Sequence, residues 1–125
     1  MKTVTFSIRP LSEVANDFAE TFNAVRSKRP ISKRSREEVG FTSIEAARKF
    51  LTRERLALIT TIRLRHPGSL YELAKMLRRD FKNVQDDIAV LQRHGLVQIS
   101  RKSRGKRRVK VPRVLYEEIA LKIAV

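Results

Sequence analysis

Eight cations, Arg101, Lys102, Arg104, Lys106, Arg107, Arg108, Lys110 and Arg113, stand within thirteen residues that hold no acid. Guanidinium and ammonium groups at this density suit phosphates, because each phosphate they neutralise releases condensed counterions from a nucleic acid. A second set lies upstream at helical spacing. With Val84, Ile88 and Leu91 as the inner stripe of a helix at 100° per residue, the opposite face carries Lys82, Asn83, Gln85, Asp86, Ala89 and Arg93. Asn83 and Gln85 are of the type that bonds adenine through two atoms, Asp86 can accept from the amino group of cytosine, and Lys82 can reach guanine or a phosphate. Arg78 and Arg79 come just before this helix, where free backbone N–H groups also favour an anion. Ser69, at the start of the preceding helix, completes the set of expected DNA contacts. Taken alone, the polar helix face would suit any solvated helix; the basic groups on both sides of it turn the reading toward a duplex.

Other chemistries lack residues. Cysteine is absent, which excludes disulfides and thiolate zinc sites, and fits a reducing compartment. The two histidines, His66 and His94, have no acidic cluster beside them, and the four glycines form no phosphate-cradling loop. No enzymatic activity, cofactor or metal is therefore expected. The 28 Lys and Arg outnumber the 13 Asp and Glu to give a net charge of +15 on 125 residues. A polyanionic partner follows, and neither a spanning helix nor a lipid anchor is apparent, so the expected setting is the cytoplasm.

The elements that must position these groups can be read from periodicity. Thr3 to Arg9 alternates, with Val4, Phe6 and Ile8 on one face of a strand. Ser12 to Lys28 places Val14, Phe18, Phe22 and Val25 on one helical stripe, which covers either the chain's own core or a second copy. A linker with six basic residues occupies Arg26 to Arg36. Val39 and Phe41 suggest a short extended segment. The spacing of Thr42 and Glu45 predicts a capped helix with Ile44, Ala47 and Leu51 inward. Thr52 caps a helix to Arg65, with Leu56, Leu58 and Ile59 supplying contacts, and His66-Pro67-Gly68 stops it. Ser69 and Glu72 then open a short helix, Asp80 caps another, and Gly95 ends that one. Leu96 to Arg101 and Val109 to Pro112 are expected to pair as a hairpin around a loop over 102–107. The last segment, from Tyr116 to Val125, fits strand or helix; as a strand it could pair with Thr3 to Arg9. The expected class is α+β, mainly helical: a winged helix-turn-helix with an N-terminal strand-helix extension. Residues 1–38 form the extension, a dimerisation or partner surface, and 39–125 form the DNA-binding domain with its C-terminal strand.

The run Ser69-Leu70-Tyr71-Glu72-Leu73-Ala74, followed by Leu91, Gly95, Leu96 and Val97, resembles the small MarR-like winged-helix transcriptional regulators of archaea and bacteria. The resemblance covers about Val39 to Ile119 and implies a homodimer that binds a DNA operator. The basic hairpin is longer than that group's pattern. Two other expectations stand beside a regulator: an antitoxin-type interaction protein that binds a protein partner and controls its own operon, and a non-specific nucleic-acid-binding protein.

Overall fold

The computed structural model describes residues 2–9 and 38–125. The helix expected over 12–28, the basic linker and the partner surface assigned to them lie outside the described residues. Among the described residues nine elements follow in order: β1 (Thr3–Ile8), β2 (Glu38–Phe41), α1 (Ile44–Phe50), α2 (Arg53–Arg65), α3 (Leu70–Leu77), α4 (Phe81–Arg93), β3 (Gln98–Arg104), β4 (Arg107–Arg113) and β5 (Glu118–Ile123). The class is α+β. Two units share the chain: Thr3–Phe50 with Glu118–Val125, and Leu51–Glu117. The sequence reading divides the chain after residue 38 and keeps the last strand with the helices. In the structure the last segment is a strand, β5, and its backbone groups pair with β1, the partner open to it as a strand.

In the first unit β1 lies between β2 and β5 and runs parallel to both. Its alternating residues Val4, Phe6 and Ile8 are buried, as the period-2 pattern requires. Phe6, Phe41 and Phe50 meet with ring centroids 5.3 to 5.8 Å apart in tilted and edge-on pairs, a geometry suited to the ring quadrupole. That cluster also fixes which side of α1 turns inward. Ala47 and Phe50 are buried, whereas Ile44, expected inside, is exposed and Leu51 is half-buried. The cap differs by one residue as well: the Ser43 hydroxyl, rather than Thr42, accepts from the N–H of Ala46 at 3.1 Å. On the opposite face of β1, buried Ser7 is hydrogen-bonded to the Glu38 carboxylate, and Arg9 pairs with Glu38 at 3.5 Å.

The second unit packs α2, α3 and α4 around Leu58, Ile62, Leu73, Val84, Ile88 and Leu91, all nearly inaccessible to solvent. Thr52 accepts from Arg55 N–H at 3.2 Å, Ser69 from Glu72 N–H at 3.0 Å and Asp80 from Asn83 N–H at 3.2 Å, so each helix opens on its own cap. Leu56 is a correction. It lies 45% exposed, and Ile62 fills the core in its place. At 100° per residue Leu56 falls far from the Leu58, Ile59 and Ile62 stripe, and Arg55 occupies that inner edge. Leu96 and Val97, expected at the start of a strand, are buried core residues just ahead of β3.

Candidate nucleic-acid interface

Between α3 and α4 the chain turns within three residues, Arg78 to Asp80. Arg78 adopts the left-handed conformation at φ 53°, and the N–H groups of Arg78 and Arg79 close onto the carbonyls of Lys75 and Ala74. A side chain at such a φ costs about 1 kcal/mol relative to glycine, so the turn bears a penalty to keep this arginine. The turn is locked from below. Asp87, on the flank of α4, accepts from Arg79 Nη2 at 2.8 Å and from Arg55 Nε at 3.0 Å. All three side chains are less than a quarter exposed, and the pairs tie α2 and the turn to α4. Arg79, expected to contact phosphate, thus has a partner inside the fold.

On α4 the inner stripe is Val84, Ile88 and Leu91, and Lys82, Asn83, Gln85, Asp86, Ala89 and Arg93 are exposed. The first turn of α4 carries no acidic residue beyond its cap. Lys82 and Arg78 therefore sit near the positive end of the helix dipole, an unfavourable placement that an external anion would relieve. His94 closes the helix, its Nδ1 3.0 Å from the Val90 carbonyl oxygen.

The hairpin differs from its expected form. β3 and β4 run antiparallel over seven residues each, from Gln98 opposite Arg113 to Arg104 opposite Arg107. Only Gly105 and Lys106 lie outside the ladder. Gly105 has φ 61° and Lys106 does not, the pattern of a type II′ turn whose first central position favours glycine. Most of the loop expected over 102–107 is therefore strand, because the two-residue turn lets the ladder continue to the tip. Two like-charge pairs result: Arg101 faces Lys110, and Arg104 faces Arg107. Directly opposed like charges destabilise a ladder. Lys102, Lys106, Arg107 and Arg108 are all exposed on this ribbon.

Arg104 also reaches away from the ribbon. A Cβ added at Gly68 would lie 2.2 Å from Arg104 Nη2 and 2.9 Å from Glu72 Oε2, so the absence of a side chain at Gly68 admits this guanidinium. The Glu72 carboxylate accepts from Gly68 N–H at 2.9 Å, just ahead of the Ser69 cap. Ser69 and Arg104 are thereby brought near each other although they stand 35 positions apart in sequence. A groove of about 380 Å³ runs between α4 and the hairpin, lined by Leu70, Gln85, Ile88, Ala89, Gln92, Ile99, Arg101 and Lys110. From the expected reading face it takes in Gln85 and Ala89, and it adds Gln92, which was not among the expected residues; the signal is its position seven residues after Gln85 on the same flank.

Among the described residues no group of three His, Asp or Glu could hold a metal ion, and no helix is long and apolar enough to cross a membrane. The family model HVO_A0114 matches residues 50–121, more than half of the chain. A possible transcriptional regulator from Methanosarcina mazei Go1 is similar in structure, with 22% sequence identity and a TM-score of 0.45. The match covers 54% of this chain and 58% of that one. The comparison with curated proteins gives no match.

Proposed function

The chain belongs to the HVO_A0114 family, and on that premise we propose that it is a DNA-binding transcriptional regulator acting through a winged helix-turn-helix. In this reading α3 and α4 are the helix pair, α4 enters the major groove, and the β3–β4 ribbon is the wing, placed on the minor groove or on flanking phosphates. The observation that carries the proposal is the ribbon. Its opposed pair Arg101/Lys110, beside the exposed Lys102, Lys106, Arg107 and Arg108, costs folding energy without a polyanion and becomes favourable on one. Asn83, Asp86 and Lys82 are the base-reading groups, with Gln85 at the groove side and Arg93 at the far end of the same helix. Arg78, Arg104, Arg107 and the other ribbon cations hold the backbone. Ser69 contributes from the start of α3. The protein acts by binding, without catalysis or cofactor, as a homodimer in the manner of MarR-like regulators in the cytoplasm.

Selection of bound sites from random duplexes at physiological salt tests this reading. The expected result is an enriched palindrome, with Asn83→Ala relaxing preference at one base position and Arg107→Ala weakening all sequences together while lowering the salt slope by about one. Equal affinity for unrelated duplexes would replace it with non-specific nucleic-acid binding.

A further inference from the structure

We propose that Phe81, braced by Tyr71, is a specificity-determining residue that recognises the 5-methyl group of thymine. The inference rests on the DNA-binding reading and names part of what that surface reads. Phe81 is the first residue of α4, next to its Asp80 cap, and is 38% exposed; Tyr71, in the first turn of α3, is 59% exposed. Their rings meet edge to face with centroids 6.0 Å apart. Lys75 lies over the Tyr71 ring, its Nζ 4.6 Å from the centroid.

Two aromatic rings left in water forgo the burial that would otherwise reward them. The Tyr71 ring nevertheless lies between the Lys75 cation and the edge-on Phe81 ring, contacts that favour this arrangement of the pair. The rim suits a polyanion: Lys75 and Arg78 share the Tyr71 face of α3, and Lys82 follows Phe81. A partner for the patch must therefore combine negative charge with an exposed apolar group. In the major groove of a duplex the thymine methyl is the apolar group on offer, and recognition helices contact bases through their N-terminal residues. Phe81 occupies that end of α4. The polar set of Lys82, Asn83 and Asp86 on the same helix has no means of sensing a methyl group, so Phe81 adds a discrimination those residues cannot make.

The test uses the full chain and a duplex recovered by site selection, with each thymine replaced singly by deoxyuridine, which removes only the methyl. Binding of wild type should weaken about threefold to tenfold at one or two positions, the scale of one methyl group moved from water onto an apolar surface. In Phe81→Ala that penalty should fall below twofold at the same positions, and Phe81→Leu should keep part of it. Phe81 is partly exposed, so both variants should keep the wild-type fold, which circular dichroism checks. A duplex on which no thymine distinguishes itself from deoxyuridine overturns the inference while leaving DNA binding intact, and so does a penalty that persists in Phe81→Ala. Loss of self-association in Phe81→Ala with an unchanged thymine-to-deoxyuridine ratio would also overturn it, because the patch would then join two copies. A protein that binds no duplex at all overturns the DNA-binding reading itself.

Discussion

Asp87 places a negative charge on the helix proposed to meet a polyanion, and its contacts explain why it is there. One carboxylate holds two guanidiniums, Arg55 from α2 and Arg79 from the turn, each with a separate oxygen. Removing it leaves two partly enclosed cations without this partner. Asp87→Ala should therefore cost about 2–3 kcal/mol, more than Arg79→Ala, as read from the midpoint of denaturant unfolding. The Arg55 contact is not legible in the sequence, since it depends on how α2 crosses α4. The same limit hid Phe81 and Tyr71. Their pairing joins the first turns of two helices, a proximity that no local spacing encodes.

At the scale of elements the legible parts were those governed by local rules. Each of Thr52, Ser69 and Asp80 caps the helix it was expected to cap, because a side chain reaching the N–H three residues on is a short-range geometry. Ala47 is buried as expected, but Ile44 is exposed and Phe50 takes its place where a tertiary cluster, the three phenylalanines, chose the buried face. The β3–β4 ribbon was seen as a hairpin but with too long a loop, since a basic run reads as a loop by composition while Gly105 permits the tightest turn. Its like-charge pairs give a test with opposite signs. Lys110→Glu converts the Arg101 pair into an attractive one, so the free protein should gain a few tenths of a kcal/mol in thermal or chemical unfolding. Duplex affinity should drop roughly tenfold or more at 0.1 M salt, because a contact is lost and a repulsion gained. A variant that gained stability and kept its affinity would remove the ribbon from the interface.

For the whole molecule the excess of 15 positive charges sets how it answers to salt. Self-repulsion opposes the compact state, and screening over a Debye length of about 10 Å at 0.1 M relieves it. Raising NaCl from 50 to 200 mM should thus increase the melting temperature of the free protein while weakening its hold on a duplex, by roughly 10³- to 10⁵-fold if six to ten phosphates are engaged. Differential scanning fluorimetry and fluorescence anisotropy on the same samples would show whether the two trends run in opposite directions. Another whole-chain property comes from β1, whose parallel partner β5 begins 115 residues after Thr3. On a ribosome adding roughly 5–20 residues per second, β1 emerges about 6 to 23 s before that partner exists. Leu51–Glu117 is synthesised as one uninterrupted stretch within that interval. The helices and ribbon can therefore assemble during translation, while β1 must keep Val4, Phe6 and Ile8 from aggregating until β5 has been made.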